Sequence, residues 1–233
     1  MKYDNILEGV FIERPHRFGA MVDIDGRVEY VHVKNTGRCR ELLIPGVRVF
    51  LEKSKKDNRK TGFSLISVVK GNLLINIDSQ VPNKVVEESI LSKAIPEFAD
   101  VVNLKRESRY GNSRFDLYFE RDNGSSGFIE VKGVTLDNDG TAMFPDAPTQ
   151  RGLKHLLELE KAAAEGYEAY VFFLAQYSPA KVFVPNFRTD PNFSEGLNKV
   201  NDNGVKIIAY DSIVEKDSIV INEPIAINLG QCI

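Results

Sequence analysis

RFDLYFE (residues 114–120) and FIEVKGV (128–134), separated by the polar turn RDNGSSG (121–127), read as the two strands of a hairpin. Aromatic and β-branched residues alternate with polar ones, and Gly and Ser interrupt the runs between them. Side chains at i and i+2 of a strand share a face. Glu130 and Lys132 therefore project together, while Ile129 and Val131 turn into apolar packing. Asp116 alternates with Phe115, Leu117 and Phe119 and projects from the polar face of its own strand. Where the two polar faces coincide, two carboxylates and an ammonium converge. Hard divalent cations such as Mg²⁺ or Mn²⁺ take oxygen ligands, usually a few carboxylates completed by water and substrate phosphate. Asp116 and Glu130 are thus candidate metal ligands, with the Val131 carbonyl as a further oxygen. Lys132 suits the orientation of an attacking water or the stabilisation of charge on a phosphoryl oxygen.

Upstream, NKVVEESILSKAI (83–95) changes the hydrophobic period from that of a strand to that of a helix. At roughly 100° per residue, Val86, Ile90, Leu91, Ala94 and Ile95 form one face, with Glu87 near its centre and Glu88 at its edge. A carboxylate on a buried face needs a partner or a metal. Glu87 is therefore the fourth candidate catalytic residue, with Glu88 as the second choice. Downstream, TQRGLKHLLELEKAAAEG (149–166) reads as a helix with Gln150, Arg151 and Lys154 in its first two turns. Gln150 and Lys154 share a face, and cations in a first turn oppose the helix dipole, which favours an anionic neighbour. All three are candidate nucleic-acid contacts. His155, like His16 and His32, reads as a packed or surface histidine. Strands at 102–109, 168–175, 181–184 and 205–210 and a helix at 193–203 complete an α/β pattern with a mixed sheet.

The front of the chain is different. GVFIERP (9–15), AMVDIDGRVEYVHV (20–33), VRVFLEK (47–53), FSLISVVKG (63–71) and NLLINID (72–78) are short alternating runs, of the spacing expected for a small OB-like barrel. Asp25-Gly26 is a two-residue hairpin signal, since a type I′ turn requires positive φ. Pro82 fits the first turn of a helix, which sets domains at 1–82 and 83–233. KSKKDNRKTG (53–62) reads as an exposed basic loop. RPHRF (14–18) and HVKNTGRCREL (32–42) supply candidate phosphate contacts at Arg14, Arg17, Lys34, Asn35, Arg38 and Arg40, with Phe18 as a stacking platform.

Composition narrows the class. Residues 1–82 carry 14 Lys and Arg against 10 Asp and Glu, and the remainder 16 against 23, so +4 and −7 combine to the net −3. A basic front on an acidic back suits a nucleic-acid partner. The N-terminus lacks a signal-peptide pattern, no apolar run is long enough for a membrane helix, and the only cysteines, Cys39 and Cys232, fit no disulfide framework or zinc site. A cytoplasmic protein without membrane association is expected. No Ser/His/Asp arrangement, Gly-rich phosphate loop or Cys/His metal spacing is present, which removes serine hydrolases, P-loop enzymes and zinc proteins.

HVKNTGRCREL, VPNKVVEESI, YGNSRFDLYF followed by IEVKGVTL, and MFPDAPTQRGLKHLLEL together resemble the sugar fermentation stimulation protein family along essentially the whole chain. The resemblance implies an N-terminal OB-like barrel and a C-terminal restriction-endonuclease-like domain similar to the PD-(D/E)XK nucleases. Asp116, Glu130 and Lys132 occupy that motif, and Phe115 stands where its proline would be. It also implies a DNA rather than an RNA partner. Two functions are then in view, since fold does not dictate activity. One is a Mg²⁺- or Mn²⁺-dependent phosphodiester hydrolase. The other is a non-enzymatic DNA-binding regulator of sugar (maltose) metabolism genes that keeps the nuclease fold. The oligomeric state stays open, a dimer included.

Overall fold

The structure is a computed structural model that describes residues 1–55, 61–111 and 113–230, so the middle of the basic loop and Cys232 lie outside it. Strand β1 (Ile6–His16) runs antiparallel to β2 (Gly19–Ile24), which turns through Asp25 and Gly26 into β3 (Arg27–Val33). Both turn residues take positive φ, 51° and 79°, as a type I′ turn demands. Next come β4 (Arg48–Lys53), β5 (Phe63–Lys70) and β6 (Leu73–Asn76). The order β3-β2-β1-β4-β5-β6 closes on itself because β3 also pairs with β5 at His32↔Ser64 and Val33↔Leu65. The five strands β1 to β5 thus form a closed ring, with β6 an outer strand paired to β5 alone, and the alternate inward residues Ala20, Val22, Val31, Val33, Val49, Leu51 and Leu65 fill the barrel.

Helix α1 (Val81–Leu91) starts with Pro82 in its first turn, where a missing N–H costs nothing, and ends at a Ser92 cap. A short 3-10 turn (Pro96–Phe98) leads into β7 (Val101–Tyr110), β8 (Ser113–Arg121) and β9 (Ser126–Val134). After β10 (Leu136–Asn138) and β11 (Thr141–Phe144) comes α2 (Gln150–Ala164), followed by β12 (Glu168–Ala175), β13 (Val182–Pro185), α3 (Pro191–Asp202), β14 (Lys206–Glu215), β15 (Ser218–Pro224) and β16 (Ala226–Ile227). A six-stranded sheet of order β15-β14-β12-β9-β8-β7 forms the centre, parallel where β9, β12 and β14 meet and antiparallel elsewhere. Ile129, Val131, Leu117 and Phe172 pack with Val85, Val86 and Ile90 of α1 on one face. Phe128, Val134, Val171 and Phe173 pack with Leu156 and Leu159 of α2 on the other. Among the described residues, no helix is long and apolar enough to cross a membrane.

Four strands go beyond the sequence expectation: β10, β11 and β16 are too short for a period to register, and β15 follows the last expected strand at 205–210. β10, β11, β13 and β16 form a small separate sheet. The barrel and the central sheet are joined by buried polar groups. Gln176, at the end of β12, donates through Nε2 to the carbonyl and Oδ1 of Asn76, both at 3.0 Å, and to the Asp78 carbonyl at 3.2 Å. A Cβ at Gly133 would lie 2.3 Å from Gln176 Oε1 and 2.7 Å from Pro82, so only glycine admits this close approach.

Candidate functional site

The hairpin of β8 and β9 opens at one end, and that opening makes the site. Their ladder runs from Glu120↔Ser126 to Leu117↔Ile129, and beyond it the Val131 N–H donates to Asp116 Oδ2 at 2.8 Å. Asp116 Oδ1 accepts a second bond, from Asn83 Nδ2 of α1, at 2.6 Å. Glu130 is 3% exposed. Its Oε1 accepts from Lys132 Nζ at 2.7 Å and pairs with His155 Nδ1 of α2, while its Oε2 is buried and, among the described residues, has no hydrogen-bond partner. A buried carboxylate oxygen without a partner is costly, so an atom in this position marks a place for a cation or a bound donor.

Electrostatics separate the two acids. Burial and then the Glu130 charge push the Asp116 carboxyl up to about 6, against the bonds from Val131 and Asn83 and the charge of Lys132. Burial also pushes Glu130 up, but Lys132 and His155 more than reverse it and leave that carboxyl below the usual glutamate value. Glu130 is thus the compensated member of the pair and Asp116 the uncompensated one.

A cavity of about 470 Å³ contains Asp116, Glu130, Val131 and Lys132 on its sheet wall, Arg151 and His155 on its α2 wall, and Arg17, Asn35 and Gly37 on its barrel wall. The structure therefore brings the three hairpin residues together with residues from both parts of the chain. Thr149 caps α2 by accepting from the Gly152 N–H at 3.0 Å, and Asp190, which caps α3, fixes Thr149 by accepting its N–H at 2.7 Å.

Other expected contributors lie elsewhere. Glu87 is not in the cavity and pairs with Arg106 at 3.5 Å, while Glu88 pairs with the N-terminal amine at 2.8 Å. The expectation assumed a helix running through Ala94 and Ile95, but α1 ends at Leu91, itself 66% exposed. The true apolar face is Val81, Val85, Val86 and Ile90, and it turns Glu87 away from the site. The residue that α1 does contribute is Asn83, for which the sequence carried no signal.

Gln150 and Lys154 are exposed and do not line the cavity. Arg151 and His155 line it instead, with Arg151 Nε 3.4 Å from His155 Nε2. His155, expected as a packed or surface histidine, is packed: it shares the buried stripe of Gly152, Leu156, Leu159 and Ala162, and the helical period places it there.

In the barrel, Arg14 is spent internally. Its guanidinium donates to the carbonyls of Gly37 at 2.9 Å, Arg38 at 2.7 Å, Asn35 at 2.8 Å and Arg17. Lys34 is also occupied, pairing with buried Asp78 at 3.1 Å and Glu52 at 3.6 Å. Asn35 is buried, donating to the Ile77 carbonyl at 2.9 Å and accepting from the Gly37 N–H at 2.7 Å. These three residues shape the loop. Arg17, Arg38 and Arg40 are exposed around it, and Phe18 is 50% exposed beneath the Arg17 guanidinium at 5.6 Å.

Residues 80–218 match the family model described as the sugar fermentation stimulation protein RE domain, and residues 12–77 match that of the SfsA N-terminal OB domain. The chain is 50% identical over 232 residues to a sugar fermentation stimulation protein homolog of Alkaliphilus oremlandii, covering 98% of this chain and 99% of that one. A homolog from Clostridium botulinum is 51% identical over 225 residues, covering 97% and 98%. The structure of Pyrococcus furiosus SfsA in complex with Ca²⁺ superposes with a TM-score of 0.89 at 30% identity, covering 98% of each chain.

Proposed function

The chain belongs to the sugar fermentation stimulation protein family, with its OB barrel and mixed-sheet domain, and from that premise we propose a divalent-metal-dependent phosphodiester hydrolase acting on nucleic acid, DNA before RNA. The observation that carries this reading is Glu130 Oε2, a buried carboxylate oxygen that has no partner among the described residues and lies in the cavity that also holds Asp116. Asp116 and Glu130 would hold a Mg²⁺ or Mn²⁺ ion. Among the described residues no three Asp, Glu, His or Cys side chains form a ready metal cage, and two carboxylates completed by water and substrate oxygens suit a Mg²⁺-type site. The Pyrococcus furiosus relative was solved in complex with Ca²⁺, another hard cation that prefers oxygen.

When bound, the ion supplies a Lewis acid and lowers the pKa of a bound water. The side chains supply orientation and charge. Asn83 and the Val131 N–H each occupy one Asp116 oxygen and fix that carboxylate. His155 holds Glu130 Oε1, leaving Oε2 as the free ligand atom. The Lys132 ammonium lies on the cavity wall, where it stabilises charge developing on a phosphoryl oxygen. Arg151 and Arg17 offer donors to the flanking phosphates. Purified protein with Mg²⁺ or Mn²⁺ should cleave DNA well above an Asp116→Ala control. Equal rates for the two, on DNA and on RNA, would remove the hydrolase.

The Lys132–Glu130 ion pair favours a second reading, because an ammonium bonded to the carboxylate competes with a cation for it. In that case the chain is a DNA-binding regulator of sugar metabolism genes with a retained nuclease fold. Salt-sensitive DNA binding that survives simultaneous loss of Asp116, Glu130 and Lys132, with no cleavage by the parent, is its expected signature.

A further inference from the structure

Outside the acidic cavity lies a second concavity of about 800 Å³, and the two share Arg17, Thr36, Gly37, Ala147 and Pro148. They are neighbouring parts of one cleft between the barrel and the loop before α2. Arg38 and Arg40 line the outer part, and Glu13 is the one acid among its lining residues. Arg38 and Arg40 are both exposed, and among the described residues neither side chain has an ion-pair partner within 4.0 Å. Phe18, exposed beside Arg17, presents an aromatic ring next to this basic trough.

The walls are held in place. Arg14 ties the loop 35–38 from within, and a Cβ on Gly37 would lie 2.3 Å from Asp146 Oδ2, so the barrel loop and the loop before α2 touch. Glu130 lies deepest, 3% exposed, and Asp116 is half-buried. A cavity of about 470 Å³ has the capacity of a small-ligand pocket. A single strand fits such a cleft better than a stiff duplex does, because its phosphates can follow the arginines while an unpaired base stacks on Phe18.

Resting on the hydrolase reading, we infer that the substrate is single-stranded nucleic acid, led to the site by Arg17, Arg38 and Arg40. Fluorescence anisotropy in EDTA separates binding from cleavage, using a labelled 15-nucleotide DNA strand alone and the same strand in a duplex. The single strand should bind at least tenfold more tightly. The double variant R38A/R40A removes two exposed side chains while leaving the Arg38 carbonyl bonded to Arg14. It should lose about tenfold or more in single-strand affinity, with a salt slope shallower by about 0.7 per lost phosphate contact. Lys105→Ala, the loss of one positive charge on the edge strand β7, should change neither.

Equal or tighter duplex binding, no binding of either form, or an R38A/R40A variant with unchanged affinity overturns the inference. A parallel incubation with Mn²⁺ keeps the two ideas apart. Cleavage of duplex with no single-strand preference overturns the inference and leaves the hydrolase standing. Selective single-strand binding without cleavage of any substrate supports the cleft and removes the hydrolase.

Discussion

Replacing Asp116 with Asn preserves the shape of the site and removes the less compensated of its two acids. The Asp116 carboxyl moves from 3.8 to about 6 on folding. At 1.36 kcal/mol per pH unit, ionising it in the folded chain at neutral pH costs about 3 kcal/mol. Because the folded value is raised, this cost is absent below about pH 3.8, grows up to about pH 6 and is constant above. The substituted amide can keep both neighbours. Its oxygen accepts the Val131 N–H, and the Asn83 amide, turned over, presents its own oxygen to the new NH₂ group. Allowing for that rearrangement, Asp116→Asn should stabilise the metal-free protein by about 1–2 kcal/mol at pH 7.5, or roughly 2–8 °C in Tm. At pH 4 the gain should shrink to a few tenths of a kcal/mol. The assay is denaturation in EDTA, followed by circular dichroism at both pH values. Added Mg²⁺ should raise the Tm of the parent but not of the variant, since a ligand stabilises only the state that binds it. A variant less stable than the parent at pH 7.5, or one with the same gain at both pH values, would refute the reasoning.

Glu168 provides an acid-side counterpart, with Oε1 and Oε2 accepting from Arg121 Nε and Nη2 at 2.6 and 3.1 Å. Burial raises its carboxyl, but Arg121, Tyr170 and Ser125 bring it down to about 2, so its stabilisation is present above about pH 4.5 and lost as pH falls toward 2. About 1–2 kcal/mol should disappear over that window once partial exposure is allowed for, and Glu168→Gln should flatten that limb of a urea-midpoint titration. Arg14→Ala deletes the donor to the carbonyls of Asn35, Gly37 and Arg38 and should cost about 2–4 kcal/mol. Weaker nucleic-acid binding at unchanged Tm would mean instead that Arg14 touches phosphate directly. His155→Ala leaves Glu130 Oε1 held by Lys132 alone and should lower kcat at least tenfold with little change in KM, while His155→Asn recovers part of the rate. A change confined to KM would place His155 in substrate binding.

Part of this protein was written in its local sequence. Asp25-Gly26 marks its hairpin because only residues tolerant of positive φ make that turn, and the alternation around the barrel strands follows from the two-residue repeat of a pleated strand. Glu130 and Lys132 share a face for the same reason, and their i, i+2 spacing already puts the two side chains within reach of each other. The placement of Asp116 against Val131 N–H is one step less local, since it requires the hairpin ladder to stop at Leu117↔Ile129.

The remaining assignments depended on partners far along the chain. Glu87 could not be placed without knowing that α1 stops at Leu91, and Lys34 looked free until Asp78, 44 residues later, was seen to neutralise it. Arg14 looked like a phosphate contact, but carbonyls 21 to 24 residues away occupy its guanidinium. Asn83 reaches Asp116 across 33 residues, and His155 reaches Glu130 across 25. Periodicity and turn chemistry are set by sterics between near neighbours, and a sequence shows them directly. Which charge meets which, and which helix face lines a cavity, is set by packing between segments whose distance in sequence says nothing of their distance in space, and only the tertiary structure decides it.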